Sequence, residues 1–129
     1  MLIGYLIAKT ELDLQFIANI VAMSNVYAIE GAKEAIQDEA FYNFSLKKNR
    51  EAKAIVYNAL DHLELNYIKS NTNFIFFKSG KNISELGRQM LAKGVNIGRP
   101  FPPFYDWCRI STGTLEEMEL FSKSLISLY

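Results

Sequence analysis

The arginines are the side chains in this sequence best suited to hold a small anion. Arg109 stands in YDWCRISTGT, residues 105–114, between Cys108 and Ile110 and just ahead of a Gly-Thr pair. Arg99 opens the proline-rich stretch RPFPPF. A guanidinium stays charged and offers a planar fork of donors that matches a carboxylate or phosphate in bidentate fashion. In a strand otherwise made of Trp107, Cys108 and Ile110, such a group needs an anionic partner or a route to water. The residue pattern alone leaves both open, and an arginine on the solvent side of an alternating strand is the commoner case.

The other reactive types offer less. With one cysteine and one histidine, the chain forms no internal disulfide and no His/Cys metal centre is expected. Cys108 reads as a small buried hydrophobe. His62 closes a long helical pattern, where a cation suits the helix dipole. Tyr105 and Trp107 read as lids or core beside Arg109.

These residues need a scaffold, and the composition supplies one. The 129 residues are 50% apolar and 22% charged, enough for a packed core in about one domain. Lys and Arg total 14 against 14 Asp and Glu, so no basic field exists to attract nucleic acid or anionic lipid. The apolar runs are too short to span a membrane. The opening MLIGYLIAKTELD lacks the basic region and cleavage site of a secretory leader, and the single cysteine suits the cytoplasm.

LIGYLIA reads as a strand buried on both faces, which needs neighbours on each side. A chain opening on it is expected to have lost what precedes it. TELDLQFIANIVAMS predicts a helix capped by Thr10, with Leu12, Phe16, Ile17 and Ile20 on one face. NVYAIEGAKEAIQD predicts a second helix. A third runs from about Asp38 to His62, with Phe41, Phe44, Ile55, Ala59 and Leu63 at helical spacing and KKNREAK as a solvated face. NFIFF then reads as a strand, KSGKN as a turn, and Asn82 with Glu85 as a capping box for the helix ISELGRQMLAK, closed by Gly94. VNIG and WCRIST read as strands on either side of RPFPPF, a loop that its prolines bar from helix. Thr114 with Glu117 caps the last helix, LEEMELFSKSLISL. The class is α+β: a short sheet of about three strands with flanking helices, behind a long helix and an orphan strand.

GVNIGRPFPPFYDWCRISTGTLEEM resembles the C-terminal signature of the fold-type I, pyridoxal-phosphate-dependent aminotransferases, and of the histidinol-phosphate branch most of all. NTNFIFF is similar to the strand that begins that family's small domain, and NREAKAIVYNALDHLELNYIKS to the long helix leading into it. MLIGYLIA resembles the strand that follows the cofactor-binding lysine. The resemblance implies a remnant of the large domain at 1–37, a connecting helix at 38–66 and a small α+β domain at 67–129.

It further implies that Arg109 clamps the substrate carboxylate or its equivalent, that Arg99 helps hold a substrate phosphate, and that Asn73 lies near the substrate pocket. Tyr5 matches a recurrent tyrosine whose role is equally well packing. In the family, pyridoxal phosphate is held by a lysine upstream of the Gly-Tyr strand; none of Lys9, Lys33 or Lys47 matches it, and Leu2 replaces an arginine on the cofactor phosphate. No cofactor residue is therefore carried over, and no cofactor is expected on this chain alone. The implied partners are an amino donor and a 2-oxo acid, with a homodimer or self-association. An alternative is a non-catalytic module that keeps the arginine pair as an anion site or dimerises near VYAIEGAKEAI. An RNA-binding sheet is disfavoured by the zero net charge and by the lack of a glycine-aromatic pattern in NFIFFKSG.

Overall fold

The computed structural model describes residues 7–18 and 25–129. Within it the chain divides into two compact units, Met1–Phe44 and Ser45–Tyr129. The first holds α1 (Glu11–Ala18), α2 (Val26–Gln37) and the opening turns of α3 (Glu39–His62). Thr10 starts α1 as expected: its hydroxyl accepts the Asp13 N–H at 3.2 Å and donates to the Asp13 carboxylate at 2.7 Å. Asn25 caps α2 by accepting the Tyr27 and Ala28 amides. Leu12 is exposed rather than facing a core; of the expected LIGYLIA strand only Ile7 and Ala8 are described, outside any strand and with Ile7 exposed, while residues 2–6, Tyr5 among them, and Ile20 lie outside the described residues.

The second unit positions the arginines. It contains the rest of α3, β1 (Tyr67–Ile68), β2 (Phe74–Lys78), α4 (Ile83–Leu91), β3 (Trp107–Ser111) and α5 (Leu115–Ile126). The strands form a three-stranded antiparallel sheet in the order β1-β2-β3. Strand residues alternate between faces. Ile75, Phe77, Cys108 and Ile110 accordingly face one way, where they pack with Val56 and Leu60 of α3, Leu86 and Met90 of α4, and Phe121 and Leu125 of α5. Fully burying side chains of this size contributes about 1.5–3 kcal/mol each. An exposed ion pair such as Lys78–Asp106 or Lys123–Glu119 contributes about 0–1 kcal/mol. The apolar layer therefore holds this unit together.

Three expectations need correction. VNIG is not a strand: Val95 and Ile97 pack against the core without making ladder hydrogen bonds, so apolar burial there does not require strand pairing. The third strand is instead β1, in the polar stretch NYIKSNT, where Tyr67 pairs with Phe77 and stacks on Tyr57 at 4.7 Å between ring centroids. Asn82 does cap α4, but Glu85 turns forward to Arg88 and Gln89 instead of closing a box. Lys53, expected on a solvated face, is buried. The Thr114–Glu117 box is complete. Gly94 closes α4 with φ of 81°, while Val95 N–H reaches the Met90 carbonyl and Gly94 N–H that of Leu91, the paired bonds of a left-handed helix end.

Burial pushes the Cys108 thiol up to about 12. Between the ordinary thiol value and that figure the unfolded chain has lost the proton and the folded chain keeps it, so stability falls as pH rises. The slope is about 1.4 kcal/mol per pH unit. Cys108→Ala is expected to remove that component from a series of denaturant melts taken between neutral and alkaline pH. In the same experiments a disulfide reagent should label wild-type Cys108 only as the chain unfolds.

Candidate functional site

The register of β2 against β3 decides which residues share the face opposite the core. Phe74 pairs with Ser111, Phe76 with Arg109, and Lys78 with Trp107. All lie on the outer face, which is why WCRIS alternates between buried Cys108 and Ile110 and exposed Arg109 and Ser111. Phe76 is the middle of an aromatic ledge. Its ring meets Phe101 edge-on at 6.4 Å and Phe104 at 6.2 Å, and lies 4.9 Å from Trp107. Phe101 and Phe104 come from RPFPPF, which closes on itself through a Phe104 N–H to Phe101 carbonyl bond of 2.7 Å.

Arg99 and Arg109 converge on this ledge. Each guanidinium carbon lies 4.7 Å from the centroid of the Phe101 ring, and Arg109 is also 5.4 Å from that of Phe74. Among the described residues neither arginine makes an ion pair, since the carboxylates in such pairs belong to lysines and Arg88. The aromatic rings attract both guanidiniums by cation–π interaction, which does not use their N–H donors.

Asn73 is placed differently. It precedes β2 with the parity of Ile75 and Phe77, not that of Arg109. Its backbone carbonyl accepts from Thr112 N–H at 2.8 Å and Thr112 Oγ1 at 2.9 Å. Thr112 Oγ1 also lies 2.8 Å from Asn49 Oδ1, tying the end of β3 to α3. Neither Phe101 nor Thr112 was marked by the sequence, because their roles follow from loop closure and strand register.

On its other flank Arg109 borders a groove of about 510 Å³, lined by Ile97, Gly98, Thr112, Glu117 and Phe121 among others. Gly98 lets the chain pass close to β3: a Cβ there would lie 2.5 Å from the Arg109 carbonyl oxygen. The neighbour is backbone and cannot swing aside.

Residues 3–125 match the family described as aminotransferase class I and II. The chain belongs to this family. It is similar to the histidinol-phosphate aminotransferase of Bacillus licheniformis, 37% identical over 101 residues that cover 75% of this chain and 27% of the relative. The Moorella thermoacetica enzyme of the same name is 33% identical, covering 78% and 26%. Histidinol-phosphate aminotransferase 2 of Legionella pneumophila (strain Lens) is 29% identical, covering 98% and 35%. A crystal structure from Erwinia carotovora atroseptica, provisionally assigned as a histidinol-phosphate aminotransferase, superposes with a TM-score of 0.72 at 36% identity, covering 75% of this chain and 28% of that one. The chain thus spans about a quarter to a third of the length of these relatives and corresponds to their C-terminal part.

The family depends on pyridoxal phosphate, and the groove beside Arg109 does not fit covalent attachment of that group. No lysine lines the groove beside Arg109. Lys53 is committed to the Ser70 and Thr72 carbonyls, Lys81 to the Leu128 carbonyl and the Tyr129 ring, and Lys78 to Asp106. Lys33, Lys47, Lys48 and Lys123 pair with glutamates on exposed helix surfaces. Lys9, Lys69 and Lys93 are exposed.

Two measurements probe this geometry. A double-mutant cycle with Arg109→Ala and Phe101→Ala, read by urea unfolding, should give a coupling of about 0.5–1 kcal/mol. Zero coupling would show that the guanidinium does not rest on that ring. Gly98→Ala should destabilise the unit by about 1–3 kcal/mol, because the strand and the passing segment must separate; an unchanged urea midpoint would contradict the close approach.

Proposed function

We propose that this chain forms the substrate-clamping part of a transaminase similar to histidinol-phosphate aminotransferase. In this reading residues 1–37 belong to a large domain, 38–66 form a connecting helix, and 67–129 make up the small domain. Arg109 grips the carboxylate, or the group in its place, of an amino donor or of a 2-oxo acid such as 2-oxoglutarate. Arg99 takes part in holding a phosphate. Asn73 stands at the edge of the pocket, acting through the backbone carbonyl that anchors Thr112.

The observation that carries the reading is the convergence of Arg99 and Arg109 on one ring, with no carboxylate paired to either among the described residues. Such a pair holds substrate in a fixed orientation, which is how a binding group contributes to rate without touching the bonds that change. Pyridoxal phosphate is then held by residues this chain does not carry, and the chain alone transfers no amino group. Exposed Val26, Tyr27 and Ile36 on α2 support self-association as a homodimer, and the composition supports a cytoplasmic location.

Titration with histidinol phosphate, followed by amide NMR, tests the clamp. Saturable shifts are expected at Arg99, Phe101 and β3, with affinity reduced at least about tenfold in Arg109→Ala, the loss of one charge-assisted bidentate contact. Arg109→Lys should recover little of it, because an ammonium lacks the planar fork. Equal binding by wild type and Arg109→Ala would sink the assignment. For the cofactor, incubation with pyridoxal phosphate and borohydride should leave no single modified lysine. A stoichiometric adduct at one position would overturn that part of the proposal.

A further inference from the structure

A second cluster of cations lies away from the arginine pair. Arg50 and Lys53 of α3 and Lys69 of the loop after β1 line a pocket of about 480 Å³, together with Asn49, Tyr57 and Asn71. Asn49, Lys53 and Tyr57 recur every four residues and so share one helix face. Lining residues carry three positive charges and no carboxylate. The adjacent carboxylate, Glu51, is turned to Lys48 at 3.0 Å and to Lys47 at 4.0 Å, so it does not balance Arg50.

Lys53 is the informative member. Only 8% of it is exposed, and its ammonium donates to the Ser70 carbonyl at 2.9 Å and the Thr72 carbonyl at 3.1 Å. Those bonds use two of its three donors and bring no negative charge. A buried cation with neutral partners is costly unless an anion lies near. A purely structural peg across this loop would not need further charges, yet Arg50 and Lys69 line the same pocket, exposed and without ion pairs among the described residues. Tyr57 holds the loop in place by accepting the Ser70 N–H at 2.9 Å, which leaves its own O–H proton to donate.

We propose that this pocket binds the phosphate group of a small molecule through Arg50, Lys53 and Lys69. A phosphate carries up to two charges on several acceptor oxygens and can engage all three cations, whereas a carboxylate matches one fork. The volume lies within the range of small-ligand pockets. The site does not depend on the role assigned to Arg99 and Arg109.

Amide NMR of the whole chain, with inorganic phosphate and then pyrophosphate added at constant ionic strength, tests this. Saturable shifts are expected at Lys69, Ser70, Asn71 and Thr72, stronger for pyrophosphate. Arg50→Gln combined with Lys69→Gln, both exposed and outside the core, should weaken binding at these amides at least tenfold. Arg109→Ala should leave it unchanged, which separates this site from the clamp. No saturable shift at residues 69–72, undiminished binding in the double variant, or an equal response to glutamate at the same ionic strength would each overturn the proposal.

Discussion

The pairing of Phe76 with Arg109 across β2 and β3 sets the side of the sheet on which everything else must lie. Side chains on paired strands alternate with a period of two, so one register gives one division into faces. On the inner side that division buries Ile75, Phe77, Cys108 and Ile110 beneath α3, α4 and α5. On the outer side it places Arg109 beside Phe76 and within reach of Phe101. A slip of one residue would send the guanidinium into the apolar layer and Cys108 out to the ledge. The core and the arginine-bearing ledge are therefore opposite faces of the same hydrogen-bonded ladder.

The segments around the ladder serve that division. Thr112 ends β3 by bonding the Asn73 carbonyl and Asn49, and Asn49 and Lys53 of α3 hold the turn that carries Asn73. RPFPPF delivers Phe101 to the outer face, and Gly98 permits the approach of the chain that carries Arg99. The chain belongs to the aminotransferase class I and II family and covers about a quarter to a third of the relatives' length.

Elements with a local cause were legible from residues alone. Thr10, Asn82 and Thr114 cap helices because a short side-chain oxygen satisfies amides two or three residues away, and Gly94 ends α4 because its φ is positive. NFIFF and WCRIST were visible as strands from alternation or apolar runs. The misassigned pieces depended on distant partners. VNIG has strand-forming residues but no ladder, and NYIKSNT has few of them yet pairs because Phe76 and Phe77 lie alongside. Lys53 looked like part of a charged helix surface, and the turn 70–72 that buries it is remote in sequence.

By itself the sequence determined the α+β class, the helix boundaries that follow from capping, and the family, through GRPFPP and RISTGT. It also made Arg99 and Arg109 the residues to watch, because no other types in those motifs carry a planar, permanently charged fork. Only the tertiary structure decided that both guanidiniums rest on Phe101, that Asn73 acts on β3 through its backbone, and that Lys53 is buried among further cations. The reason is physical: capping and alternation act over a few residues, whereas these contacts join positions brought together only by strand register and loop closure.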